Sequence, residues 1–297
     1  MAQENLKDPR HMYREEGYPE QESKSPAVQA EMTPLPDCGE ASYQGTGKLK
    51  GRHALVTGGD SGIGRAAAIA FAREGADVVV HYLAGEEADA EETVKLIEEA
   101  GQRGKAIQGD FRQAGEASRV FKKALDFLGE IDILVLNAAQ QFARKSLSEL
   151  SMEQVNDTFQ VNIISMFEMI KEAEPHLAAG SSIITTTSVQ SFEPSETLLD
   201  YAATNSAVSS LTVSLAKYFS DKGVRANSVA PGPIWTALQL DGGKLPGELE
   251  KFGQNSLMKR AGQPVELAPV YVFLASEDSS YVTGQIYGVT GGQNIDL

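Results

Sequence analysis

Cysteine is almost missing from this chain. A single residue, Cys38, excludes an internal disulfide and leaves no thiolate cluster for zinc or iron–sulfur chemistry. Four scattered histidines offer no paired-ligand spacing, so no metal site is expected. Basic residues are also scarce. Against 41 acids stand 26 lysines and arginines, a formal charge of -15, which leaves too few cations to meet a run of phosphates. A nucleic-acid partner is therefore not expected. No stretch approaches the roughly eighteen apolar residues of a membrane span, and Met1–Pro9 is polar where a secretory leader needs an apolar core. The expectation is a cytoplasmic protein with no membrane partner.

What is present is enough apolar material for a real core: 41% of 297 residues, sufficient for one large α/β domain or two small ones. It is unevenly spread. Residues 1–47 hold five of the twelve prolines, with nine acids against four bases and almost no apolar periodicity. Residues 1–48 read as an extended arm without a core of its own. Two readings of it stay open, a disordered tail or an ordered arm laid on the domain or a neighbouring subunit through Met32, Pro34, Leu35, Pro36 and Tyr43.

From Leu49 onward short β-rich runs alternate with long helical stretches. The runs are His53–Thr57, Asp77–Tyr82, Lys105–Gln108, Ile131–Asn137, Ser182–Thr187, Val224–Val229 and Gln285–Val289. Between them helices are expected over Gly62–Glu74, Glu87–Ala100, Gly115–Leu128, Met152–Leu177, Asp200–Lys222 and Val265–Ser276. Such alternation implies parallel strands joined by right-handed crossovers. The fold class expected for residues 49–297 is one doubly wound, Rossmann-type α/β domain, a seven-stranded parallel sheet with helices on both faces. Gly242, Gly243, Pro246 and Gly247 mark a small insertion at 236–259.

The first strand runs into Thr57-Gly58-Gly59-Asp60-Ser61-Gly62-Ile63-Gly64 and then an alanine-rich helix. Glycines let a backbone turn sharply and approach a pyrophosphate, whose charge meets the free N–H groups of the helix start. An ordinary tight turn would carry glycines too; placement between the first strand and first helix of an alternating series favours a nucleotide. The spacing is G-x-x-x-G-x-G, not G-x-G-x-x-G.

That loop, Asn137-Ala138-Ala139 after the fourth strand, Ser188 after the fifth, Tyr201 thirteen residues later and Pro231-Gly232 after the sixth together resemble the classical short-chain dehydrogenase/reductase family. Within it, the segments LLDYAAT, APGPIWTAL and SSYVTGQIYGVTGG, with a proline-rich arm, are similar to the branch of bacterial aldehyde reductases and plant glucose/ribitol dehydrogenase homologues. The resemblance implies an NAD(P)-dependent oxidoreductase that interconverts a small carbonyl and an alcohol, working as a homotetramer. Gly58, Ser61, Gly62, Ile63 and Gly64 would hold the pyrophosphate, Asp110 the adenine amino group, and Asn137 and Ala138 the adenine ribose. Pro231, Gly232, Ile234 and Thr236 would line the nicotinamide. Asp110 could instead cap the next helix, and Pro231-Gly232 could be only a turn. Tyr82 stands where an acid would select NAD; with neither acid nor base there, NADP and NAD both fit, the balance tipping to NADP. Asp60 would repel a phosphate brought close.

The resemblance also assigns the chemistry. Tyr201 would be the proton donor or base, Ser188 the hydrogen-bond partner of the carbonyl, and Asn162 the support of a relay water. Four residues after Tyr201 the family carries a lysine that favours the phenolate and holds the nicotinamide ribose. This chain has Asn205 there, and the next lysine, Lys217, is three turns away. A variant tetrad, a lost activity, or a protein kept for nucleotide binding alone all follow from that exchange. A methyltransferase would share the glycine loop but not need Ser188 and Tyr201 at this spacing. Gln190, Phe192, Glu193, Pro194, Leu198 and Trp235–Leu245 are expected to border the substrate.

Overall fold

A computed structural model describes residues 6–21 and 24–295. The arm expected over 1–48 and the polar start Met1–Pro9 thus lie partly outside the described residues. Seven strands form one parallel sheet: β1 (His53–Thr57), β2 (Asp77–Tyr82), β3 (Gly104–Gln108), β4 (Ile133–Leu136), β5 (Ser182–Thr186), β6 (Arg225–Pro231) and β7 (Ile286–Val289). Their order is β3-β2-β1-β4-β5-β6-β7, so the chain reverses direction between β1 and β4. In open α/β sheets that switch point opens a crevice beyond the strand C-termini.

The helices are α1 (Gly62–Arg73), α2 (Glu87–Glu99), α3 (Glu116–Leu128), α4 (Met152–Phe159), α5 (Ser165–Ala173), α6 (Leu199–Phe219) and α7 (Ala268–Ala275). One face of the sheet buries Ile69 and Phe71 of α1, Ile97 of α2 and Tyr271 and Leu274 of α7. The other buries Val120 and Phe121 of α3, Met169 and Ile170 of α5 and Leu211 and Leu215 of α6. Being covered twice, β4 is apolar at every position, ILVL, and fully buried.

Several boundaries differ from the sequence expectation. The run Ile131–Asn137 is strand only over 133–136, because Asn137 turns its side chain onto the β1 loop. The expected helix Met152–Leu177 is α4 and α5 joined by a π-helical turn, Gln160–Ile164, and closes in a 3₁₀ turn at Pro175. The interruption sits at Asn162, whose side chain bonds both the N–H and the carbonyl of Gln140 and the Thr204 hydroxyl. Side-chain demands of this kind often place such bulges at functional sites.

The arm is ordered on the domain. Tyr18 stacks on Trp235 with ring centroids 3.7 Å apart and planes 9° from parallel. The Trp235 indole N–H donates to the Pro34 carbonyl at 2.8 Å. Met32, Pro36 and Cys38 are buried, whereas Leu35, expected to dock, is 63% exposed. Arg73 at the end of α1 donates to the carbonyls of Gly39 and Tyr43, and Glu74 accepts from Tyr43, Thr46 and Lys48. These bonds answer backbone groups that the arm, whose regular structure is limited to the short 3₁₀ turns Pro9–His11 and Gln29–Glu31, does not pair for itself.

Candidate active site

Beyond the strand C-termini lies a cavity of about 350 Å³ that contains both the glycine loop and Tyr201. The loop is built for close approach. Gly62 has φ +52°, and a Cβ on Gly64 would stand 1.9 Å from the Gly58 carbonyl oxygen. Asn137 Nδ2 donates to the carbonyls of Thr57 and Gly58, while the Thr57 hydroxyl accepts from the N–H groups of Asn137 and Ala138. The start of α1 therefore faces the cavity on a rigid support, with first-turn N–H groups that a helix cannot satisfy internally. That cradle fits a pyrophosphate.

Gly58, Ser61, Gly62, Ile63, Tyr82, Asp110, Asn137, Ala138, Pro231, Gly232, Ile234 and Thr236 all line the cavity. Gly64 does not; it acts behind the loop. Asp110 spends both carboxylate oxygens on Arg112, whose guanidinium holds its carboxyl below the usual range. The His81 ring, at the end of β2, ties three segments. Nδ1 accepts from the Gly58 N–H, Nε2 lies 2.8 Å from the Gly109 carbonyl, and the ring stacks on Phe111 at 3.9 Å. Burial lowers its pKa to about 4, so the imidazole stays neutral. Burial pushes the carboxyls of Asp60 and Glu86 up, and Asp60 raises Glu86 further.

At the other end Tyr201 projects from the first turn of α6. Asp200 pins that turn: it accepts from the Tyr201 N–H at 2.9 Å, from Thr158 at 2.9 Å and from Gln154 at 3.0 Å. Ser188, on the 3₁₀ turn after β5, and Asn205, one turn along α6, line the cavity beside Tyr201. Burial pushes the Tyr201 phenol above its ordinary value, and only the Ser188 and Asn205 side chains pull it partly back. Asn205 spends its amide on the Tyr201 carbonyl, at 2.8 Å. Asn162 lies outside the lining, with its side chain used on Gln140 and Thr204.

Gln190 and Leu198 line the cavity as expected, and so do Thr236–Gln239, Asp241 and Lys244 of the insertion. Trp235 does not. It is fully buried beneath Tyr18, a cover supplied from more than two hundred residues away. Phe192, Glu193 and Pro194 also miss the cavity, because the turn Val189–Ser191 carries the chain off its rim. The wall they were expected to form is made instead by Gln140, Gln141 and Phe142, with the arm residues Ser25 and Ala27. No sequence motif marks those positions. Among the described residues one group has ligand atoms close enough for an ion: His53, Glu130 and Asp132. It lies at the opposite end of the sheet, and Arg52 already holds Asp132 at 2.5 Å.

A family model described as enoyl-(acyl carrier protein) reductase matches residues 58–294. The chain belongs to the short-chain dehydrogenase/reductase family. Its relatives include the uncharacterized oxidoreductase YghA of Escherichia coli (strain K12), 52% identical over 98% of this chain and 99% of that one. NADPH-dependent aldehyde reductase 1, chloroplastic, of Arabidopsis thaliana is 41% identical over 90% and 94%. A Burkholderia cenocepacia short-chain dehydrogenase solved in complex with NADP superposes with a TM-score of 0.77 at 28% identity, covering 82% of this chain and 98% of that one. Membership supports a general oxidoreductase function and a nicotinamide cofactor. Among the described residues no helix is long and apolar enough to cross a membrane.

Proposed function

We propose that the chain reduces a small aldehyde, ketone or sugar carbonyl and, less readily, oxidises the corresponding alcohol. The observation that carries the reading is a buried tyrosine, Tyr201, in one cavity with Ser188 and a pyrophosphate cradle. A bound NAD(P)H supplies the hydride. Ser188 donates to the carbonyl oxygen, and the neutral Tyr201 phenol gives the proton as that oxygen gains charge. Asn162 acts from behind, fixing Gln140 at the cavity wall. Tyr82, at the end of β2 and on the cavity, stands where an acid would bond a ribose 2′-hydroxyl and exclude a 2′-phosphate, so NADP binds at least as tightly as NAD. The half-buried Ile286, Tyr287 and Val289 of β7 are expected to find cover in a homotetramer, which light scattering reads directly.

Calorimetric titration with NAD and NADP, followed by a panel of aldehydes, ketones and sugars run in both directions, tests the reading. Dinucleotide binding with turnover that Tyr201→Phe abolishes supports it. Binding with no turnover of any substrate would favour a nucleotide-binding protein without catalysis, the reading that Asn205 supports.

A further inference from the structure

The arm has so far no role. Between Ser25 and Ala30 it touches three of the loops that build the cavity. Pro26 packs on Gly85 in the β2–α2 loop, its Cγ 3.0 Å from where a Cβ of that glycine would stand. Ser25 and Ala27 line the cavity beside Asp241 of the insertion. Gln29, 2% exposed, reaches the glycine loop itself: its side-chain oxygen accepts from the Gly62 N–H at 2.7 Å. The same glycine's carbonyl lies 3.5 Å from the Cys38 thiol, and the Gln29 amide nitrogen is 3.5 Å from that sulfur. Gln29 is in turn fixed from α2, where the Asp89 carboxylate accepts from the N–H groups of Gln29 and Ala30 at 2.5 and 3.1 Å.

We propose that the arm is a working part of the dinucleotide site and that Gln29 is a positioning residue for its phosphate loop. The inference rests on the nicotinamide reading of the cavity. Gly62 has φ +52° and no side chain, so its own packing does little to fix its peptide planes. Gln29 grips its N–H from behind and Cys38 stands at its carbonyl. With both ends of the residue held, the chain at Ile63, the next residue lining the cavity, is set in place before any anion arrives. Preorganised donors bind tighter because less ordering remains to be done on binding. A glutamine suits this place better than a glutamate, which would accept the same bond but set a negative charge behind a pyrophosphate. Because coupling is reciprocal, a dinucleotide that prefers the fixed loop must also hold the arm down.

The test uses the full chain. Gln29→Met keeps the length and removes the acceptor; it is expected to raise the Kd of the preferred dinucleotide about tenfold, or ~1.4 kcal/mol. Tyr43→Phe is the control, since it loses the bond to Glu74 at the far end of the arm, away from the cavity. It is expected to lower the melting temperature while moving Kd less than about twofold. Hydrogen exchange supplies a readout free of turnover: the amide of Gly62 should exchange faster in Gln29→Met than in the parent, and saturating dinucleotide should slow exchange at residues 25–30 in the parent. If Gln29→Met does not fold, Gln29→Asn, which withdraws the acceptor by one methylene, takes its place with the same expectations. An unchanged Kd in the Gln29 variant overturns the proposal. So does a Kd loss that merely tracks the loss of melting temperature in both variants. If the parent binds neither dinucleotide, the cofactor reading falls, and an unchanged Gly62 exchange rate would then overturn the positioning role separately.

Discussion

The sharpest consequence of the site concerns the exchange Asn205→Lys. Tyr201 is buried, and no charged side chain among the described residues contributes to the shift of its phenol, which burial drives upward. Asn205 adds only a neutral dipole and spends its amide on the Tyr201 carbonyl. A cation introduced one helical turn away lowers a neighbouring acid by about one to three pKa units, ~1.4 to 4 kcal/mol between protonation states. The sign separates the two directions of reaction. Oxidation needs the phenolate, which is scarce at neutral pH when the phenol is raised, so the parent should oxidise slowly with its optimum displaced to alkaline pH. Reduction needs the phenol, which is already the dominant form. Asn205→Lys should therefore speed oxidation about ten- to a thousandfold near pH 7.5 and shift the alkaline limb down by the same one to three units, while reduction changes less than about threefold. Dinucleotide affinity should move less than the oxidation rate. The assay is a pair of pH–rate profiles, from about pH 6 to about pH 10, with a substrate found by screening. If the lysine leaves both the oxidation rate and the alkaline limb unchanged while Tyr201→Phe abolishes turnover, another group supplies the missing charge and the argument fails.

Three further outcomes are expected. His81 is held at about 4 against an ordinary 6.5. The folded state then binds fewer protons than the unfolded chain between those values, so this stability is complete above pH 6.5 and is lost as pH falls toward 4, at a cost of about 3 kcal/mol. The raised carboxyls of Asp60 and Glu86 act in the opposite sense in parent and variant alike, so urea unfolding at several pH values should show the His81 slope in the difference between the parent and His81→Gln; an equal slope in both would remove His81 as its source. Gly64→Ala places a methyl 1.9 Å from the Gly58 carbonyl oxygen and 2.7 Å from Asn137 Nδ2. It should cost about 1 to 3 kcal/mol in thermal unfolding and abolish dinucleotide binding by calorimetry, and near-parental binding would contradict the packing argument. Trp235→Phe should lower stability by about 1 to 3 kcal/mol through the lost indole N–H bond to Pro34 and a smaller ring against Tyr18, with KM for the carbonyl unchanged. A KM shift above about fivefold would put Trp235 back beside the substrate.

How far the sequence could be read depends on how local each cause is. The glycine loop was legible because strand, turn and helix start occupy one window, and their residue types answer a purely local geometry at Gly62 and Gly64. The strands were legible for a similar reason: two covered faces force apolar runs such as ILVL. Tyr201, Ser188 and Asn205 came from a resemblance, and the structure brings all three to one cavity. Asn162 came the same way, yet it stands behind the wall, since its side chain is used to hold Gln140 and open the π turn between α4 and α5.

The residues that miss the cavity share a cause. Phe192 and Trp235 looked like substrate contacts because they follow residues that do face the cavity. Which way an aromatic side chain turns after a tight turn is decided by what covers it, and for Trp235 the cover is Tyr18 and Pro34. The two alternatives for the arm stayed open on the same account. Its composition is that of a segment with no core, and its side chains Tyr18, Ala27 and Met32 pack with Trp235, Leu249 and Phe252. Order in the arm comes from partners elsewhere: Asp89, Arg73, Glu74 and Trp235 supply bonds that no window around residues 13–48 contains. A segment whose polar backbone is answered in large part by distant groups reads as disorder in one dimension. One of those distant bonds, from Asp89 to Gln29, fixes the side chain that we propose holds the phosphate loop in three.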